Sequence, residues 1–296
     1  MAGYANPNVL VETDWVASHL NDPTIRILEV SVDAPAYQQG HIPGAVVLDW
    51  FSDLEQHPIR DVASRAKIER LLGHAGVDNA TTVLLYGDNH NWFAAYGYWL
   101  LKYYGHRDAR IINGGREKWM DEGRPMTRAA TQVNPVDYKA EHPNLSIRAL
   151  REYVIAVVNA AGRSLLETGQ IHRYLVDVRS RREFSGELVA PVDLPQEGAY
   201  RGGHIPGAVN IPWEEAVTYD GTFKPVDELR KLYERRKITP DKEIIVYCRI
   251  GERSAHTWFV LKELLGYPNV RNYDGSWVEY GNLIGVPIEK RNRGWP

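Results

Sequence analysis

The chain of 296 residues holds one cysteine, Cys248, and three methionines. A single cysteine excludes an intramolecular disulfide framework and any structural zinc site built from several thiolates. An excess of charge of one sign is also missing. The 35 Lys and Arg stand against 38 Asp and Glu, a formal net charge of −3, which argues against nucleic acid as the main partner. No stretch approaches the roughly 20 apolar residues of a membrane span. The opening MAGYANPNVL has neither the basic segment nor the apolar run of a targeting signal. The expected location is therefore the cytoplasm, with no membrane partner, and the glycosylation-type triplets at Asn79 and Asn144 are read as chance. Dinucleotide-type and phosphate-loop glycine patterns, a G-x-S-x-G elbow and His-x-x-x-His spacing among the 10 histidines are all absent. No metal and no organic cofactor is expected.

What is present points to two domains. A length near 300 is long for one hydrophobic core, and 44% hydrophobic with 25% charged residues is ordinary globular composition. An internal repeat sharpens this. His41-Ile42-Pro43-Gly44-Ala45 recurs as His204-Ile205-Pro206-Gly207-Ala208, an offset of 163. Tyr86 and Tyr247 each close an apolar run at an offset of 161, and Asn113-Gly114-Gly115 faces Asp274-Gly275-Ser276 at the same offset. Gly123-Arg124-Pro125 faces Gly285-Val286-Pro287 at 162. A period this long is a duplicated domain, not a solenoid. The halves are expected at 1–127 and 145–296, joined by a polar linker over 128–144.

Apolar runs and helical periodicity alternate in each half. Strands are expected at 25–30, 46–48, 83–86 and 109–112, and again at 174–178, 209–211, 243–247 and 270–273. Helices are expected at 64–75 and 93–104, then at 146–159, where Ser146 caps a face of Leu150, Tyr153, Val154 and Val157, and at 226–236 and 254–265. This order implies an α/β class in which each domain is a mainly parallel sheet with helices on both faces.

Cys248 lies where such sheets bind ligands, at the carboxyl end of a strand and before a helix. The loop reads Cys248-Arg249-Ile250-Gly251-Glu252-Arg253-Ser254. Backbone N–H groups at a helix start, the helix dipole, and the cations of Arg249 and Arg253 all favour a thiolate, so a lowered Cys248 pKa is expected. Gly251 permits the tight turn. Burial as an inert thiol is the ordinary fate of a free cysteine, but the strand-end placement between arginines favours chemistry.

The paired HIPGA turns, the strand–cysteine–loop–helix and the terminal Asp-Gly-Ser-Trp together resemble the rhodaneses, and the tandem arrangement is similar to a two-domain thiosulfate sulfurtransferase over essentially the whole chain. The resemblance implies two rhodanese-like domains and double displacement: Cys248 takes the outer sulfur of thiosulfate as a persulfide, sulfite leaves, and cyanide or a small or protein thiol accepts the sulfur. It assigns the loop residues Arg249, Ile250, Gly251, Glu252, Arg253 and Ser254 to substrate. The first half, with Gly87 opposite Cys248, is then non-catalytic, and Asn91, Trp92 and Phe93 are either cleft-lining or core residues. Arg179 is expected either to pair with Glu183 or to help neutralise substrate, and Arg182 is expected as a substrate-binding residue because it adjoins Glu183, where the family's further arginine falls here. His41 and His204, kept in both halves, are read as structural hydrogen-bonding groups, and His256 as a surface or packing residue. A monomer is expected. The alternatives are 3-mercaptopyruvate as donor, less well suited to a basic loop, a cysteine phosphatase, whose Cys-x₅-Arg loop is one residue longer than the Cys-x₄-Arg here, and a binding module without turnover.

Overall fold

Short apolar runs become strands buried on both faces in a computed structural model, which describes residues 3–32, 34–168, 172–190 and 198–290. The chain divides into two compact units. One comprises Pro7–Asn144 with Val217–Phe223, the other Met1–Asn6, Leu145–Ala216 and Lys224–Pro296.

In the first unit, β1 (Leu10–Val11), β2 (Ile25–Ser31), β3 (Ala45–Asp49), β6 (Thr82–Tyr86) and β7 (Ala109–Ile112) form one sheet in the order β1-β7-β6-β2-β3, every pair parallel. A small antiparallel pair, β4 (Glu55–Gln56) and β5 (Asp61–Val62), stands apart. The helices are α1 (Thr13–Ser18), α2 (Ala34–Gln39), α3 (Trp50–Leu54), α4 (Arg65–His74), α5 (Trp92–Tyr103) and α6 (Gly115–Asp121). Ser64 caps α4 by accepting the Lys67 N–H at 3.3 Å. The expected linker packs on this unit: Val136 N–H donates to Gly73 O at 3.0 Å, and Tyr138 and Ala140 are buried.

The second unit repeats the plan with β8 (Arg173–Asp177), β9 (Val209–Asn210), β10 (Glu243–Tyr247) and β11 (Val270–Asn272), ordered β11-β10-β8-β9 and again all parallel. Its helices are α7 (Arg151–Thr168), α8 (Arg181–Ser185), α9 (Val226–Glu234), α10 (Glu252–Phe259) and α11 (Ser276–Tyr280). Residues Ile244–Tyr247 are buried without alternation, as a strand covered on both faces must be. Leu175, Ile245, Tyr247, Trp277 and Tyr280 share one core cluster, while Ile27, Leu84, Tyr86 and Trp119 share its counterpart in the first unit.

Two helix starts differ from expectation. The helix expected from residue 146 begins at Arg151, because Ala149 N–H donates to Asn272 O at 2.9 Å and Arg148 bridges β11, which holds the chain extended. Leu150 therefore precedes the helix and is exposed, while Val154 and Val157 are buried as expected. The helix expected at 254–265 begins two residues earlier, on Gly251, and continues as a π-helical turn over Val260–Leu264, where Leu265 N–H reaches Val260 O at 2.9 Å.

Candidate active site

Strand β10 delivers Cys248 to its carboxyl end, and α11 clamps the loop that follows. The Cys248 N–H donates to Ser276 Oγ at 3.0 Å. Trp277 N–H donates to Cys248 O at 3.1 Å and Val278 N–H to Arg249 O at 3.0 Å. Ser276 adopts a left-handed backbone with φ of +53° and donates its hydroxyl to Tyr273 O at 2.7 Å. Such a conformation costs a non-glycine residue about 1–3 kcal/mol and persists only where the surroundings enforce it.

The turn itself needs Gly251. Its φ is +108°, and a Cβ there would lie 3.0 Å from Asp274 Cα and O. Asp274 is fixed in turn by both arms of Arg148, each contact at 2.8 Å. The Gly251 carbonyl accepts from Asn272 Nδ2 at 3.1 Å, and Ser254 Oγ donates to Asn272 Oδ1 at 2.7 Å. The Gly251 N–H is left pointing inward and donates to Cys248 Sγ at 3.1 Å.

Charge around the sulfur is arranged otherwise than the sequence suggested. Cys248 is fully buried, and its thiol donates to Glu252 Oε2 at 3.4 Å. Burial first, and the Glu252 carboxylate second, push the thiol pKa up. The Arg253 charge and the Ser254 and Gly251 N–H groups pull it down without offsetting this. The expected lowering is thus reversed, because desolvation and an inward-facing carboxylate outweigh the helix start and the cations.

Arg253 is committed to a carboxylate. Its two terminal nitrogens pair with Glu183 at 2.9 and 3.0 Å, both side chains buried. Burial pushes the Glu183 carboxyl up, but Arg253, Arg179 and the Ser180 hydroxyl more than offset it and hold it at about 2. The expected Arg179–Glu183 pair does not form. Arg179 instead pairs with Asp177 at 2.6 Å, donates to Gly203 O at 2.7 Å, and stacks 4.7 Å above Trp277. Arg182 is exposed and pairs with Glu187 at 3.1 Å. Arg249, Ile250 and Ser254 are buried with the loop. His256 is fully buried, edge-on to Trp213 at 5.5 Å, so its surface placement is excluded and packing remains.

The histidine turns share one construction. His41 stacks on Tyr37 with Nδ1 2.9 Å from Tyr37 O, and His204 stacks on Phe184 with Nδ1 2.7 Å from Phe184 O. The Ile42 and Ile205 N–H groups donate to the hydroxyls of Tyr86 and Tyr247, each at 3.1 Å. The pairing register places Glu29 beside Tyr86 and Asp177 beside Tyr247.

The first unit is built differently at the same place. A Cβ on Gly87 would lie 2.4 Å from Val30 O. Arg116 N–H donates to Gly87 O at 3.1 Å, as Trp277 does to Cys248, but the Gly87 N–H donates to Asn91 Oδ1 at 3.0 Å. Gly115 replaces Ser276. Asn91 and Phe93 are buried within this unit, Phe93 against Trp50.

Sequence reasoning missed Ser276, Asn272 and the Arg148–Asp274 pair as supports of the loop. One signal was available: the Asn-Gly-Gly/Asp-Gly-Ser repeat differs at Ser276, and the same two halves differ at Cys248. Among the described residues, no group of three or more His, Cys, Asp or Glu side chains is placed to hold a metal ion, and no helix is long and apolar enough to cross a membrane.

Comparison with known proteins gives a consistent picture. The family described as the rhodanese-like domain matches twice, at residues 12–122 and 160–283. The chain is 54% identical over 292 residues to the sulfur carrier protein TtuD of Thermus thermophilus, covering 97% of this chain and 99% of the relative. It is 52% identical over 281 residues to a Saccharopolyspora erythraea protein provisionally named a thiosulfate sulfurtransferase, covering 95% and 96%. Among solved structures, it is similar to the anaerobic ergothioneine biosynthesis enzyme of Chlorobium limicola in complex with trimethyl histidine, at a TM-score of 0.83 and 25% identity, over 100% of this chain and 72% of that one. A variant of EanB with a cysteine persulfide and ergothioneine matches with the same TM-score and identity, over 100% and 73%.

Proposed function

The chain belongs to the rhodanese family, and from that premise we propose that it is a thiosulfate sulfurtransferase working through a persulfide on Cys248. The observation that carries the reading is the seat of this lone cysteine: at the end of β10, with the Gly251 N–H aimed at its sulfur at 3.1 Å.

Cys248 Sγ attacks the outer sulfur of thiosulfate, the S–S bond of the donor breaks, and sulfite departs with the electron pair. The persulfide's outer sulfur is then taken by cyanide or by a thiol, which regenerates Cys248. Inward-facing N–H groups at the start of α10 offset the negative charge that gathers on sulfur during both steps. The rigid clamp from Ser276, Trp277 and Val278 keeps those groups aimed, so little reorganisation is needed in the transition state.

The name of the Thermus thermophilus relative, a sulfur carrier protein, supports a protein thiol as the physiological acceptor. A phosphatase reading is disfavoured by Arg253: both terminal nitrogens of the guanidinium that would clamp a phosphoryl group are paired with Glu183. Function as a monomer in the cytoplasm belongs to the same proposal.

The test is direct. Incubation with thiosulfate adds one sulfur to the intact mass, cyanide removes it as thiocyanate, and Cys248→Ser abolishes both. Failure of the wild-type protein to gain sulfur from thiosulfate, with ready gain from 3-mercaptopyruvate, would overturn the choice of donor.

A further inference from the structure

Glu252 is a carboxylate inside a loop whose other features favour an anion. It sits in the first turn of α10, four residues after Cys248, and is buried. Its Oε2 lies 3.4 Å from Cys248 Sγ, and its Oε1 lies 3.7 Å from Arg253 Nε. The further charged groups around it are Arg249 in the loop, Glu183 paired with Arg253, and Asp274 held by Arg148 beside Gly251. A buried carboxylate at that distance makes a second negative charge on sulfur costly. It is also placed to relieve that cost by accepting a proton.

We propose that Glu252 takes the Cys248 thiol proton as the donor sulfur is attacked and returns it when the persulfide is discharged. The proposal rests on the reading of Cys248 as sulfur acceptor. In the first half-reaction the S–H bond breaks, an O–H bond forms on Glu252, and the freed electron pair on Sγ forms the new S–S bond. The S–S bond of thiosulfate breaks, and its electron pair leaves with sulfite. Carboxylate and thiosulfate dianion become persulfide anion and sulfite dianion, so charge balances and no oxidant is needed. In the second half-reaction an anionic acceptor, cyanide or thiolate, removes the outer sulfur. Cys248 departs as thiolate and recovers its proton from Glu252. The loop thus carries one negative charge throughout, on oxygen at rest and on sulfur in the persulfide, with Arg253 Nε 3.7 Å from the carboxylate and the Gly251 N–H aimed at the sulfur.

The experiment is the pH dependence of two reactions of Cys248: persulfide formation from thiosulfate in a single turnover, and alkylation by iodoacetamide, which needs no sulfur donor. In the wild type the proton moves internally, so both rates are nearly flat between about pH 6 and about pH 8. In Glu252→Gln the proton must go to solvent. Both rates then climb about tenfold per pH unit across that range, and persulfide formation at pH 7 falls on the order of 10²-fold. Glu252→Asp, a shorter carboxylate, restores the flat profile at a lower plateau and is the second reading if the glutamine variant does not fold. Parallel profiles for wild type and Glu252→Gln, or a faster Glu252→Gln at pH 7, overturn the proposal. If thiosulfate leaves no sulfur on the wild type, the functional reading fails, while the alkylation profiles still decide the role of Glu252.

Discussion

Ser276 Oγ accepts the backbone N–H of Cys248 at 3.0 Å, across 28 residues of sequence. This bond joins Cys248 to the only helix start near it whose first residue is a non-glycine in the left-handed region among the described helices of the second unit. Ser276→Ala keeps the Cβ and its backbone strain but leaves a buried N–H without a partner. The expected loss is about 1–3 kcal/mol of stability, read as a lower denaturant midpoint. Ser276→Gly relaxes the left-handed backbone and loses less. Equal stability of Ser276→Ala and the parent would show that this bond does not hold the loop.

The Arg253–Glu183 pair is buried and bidentate, so removing one partner strands a charge. Arg253→Ala is expected to destabilise the chain by about 3–5 kcal/mol. The double variant with Glu183→Ala is expected to recover part of that loss, which a double-mutant cycle measures. Arg253→Lys keeps the charge without the fork and is expected to fall between them.

The same pair sets an acid response. The Glu183 carboxyl stands at about 2 in the folded chain against an ordinary 4.5. A depressed carboxylate contributes stability that is complete above the unfolded value and is lost as pH falls through the folded one. The stability gap between the parent and Glu183→Gln is therefore expected to narrow as pH drops from 4.5 toward 2, as unfolding curves at several pH values would record. A gap that stays constant over that window would refute the assignment.

Gly87→Cys tests whether the first unit is one substitution from activity. A Cβ there meets a backbone carbonyl, Val30 O, at 2.4 Å, so the variant is expected to lose about 1–3 kcal/mol. Intact mass after thiosulfate should still show a single added sulfur. A second sulfur would mean that the loop reshapes freely.

Legibility followed the range of the interaction. Strand β10 was readable to the residue because Ile244, Ile245, Val246 and Tyr247 are all apolar, between Glu243 and the basic loop that opens with Cys248-Arg249. The Gly251 turn was readable because only glycine suits a positive φ there. The start of α10 was misplaced because its cap is the backbone of Gly251, with no capping side chain to mark it. Helices α6 and α11 were missed because each is short and entered through left-handed residues, Gly114 in one case and Ser276 in the other. The charge balance at Cys248 was misjudged for a different reason. Arg253 looks like a free cation in sequence, and its partner Glu183 lies 70 residues away. Burial, which dominates the thiol, is likewise a property of the packed unit and not of the loop.

The segment Val217–Phe223 is counted with the first unit, where the buried Phe223 donates its N–H to Asn113 Oδ1 at 3.1 Å. Synthesis from the amino end makes this piece long after Asn144. The first unit therefore lacks this partner of Asn113 until residues 217–223 have been made, after the residues of β8 and β9. The two copies leave the ribosome in order, but the earlier one is complete only after part of the later has been made.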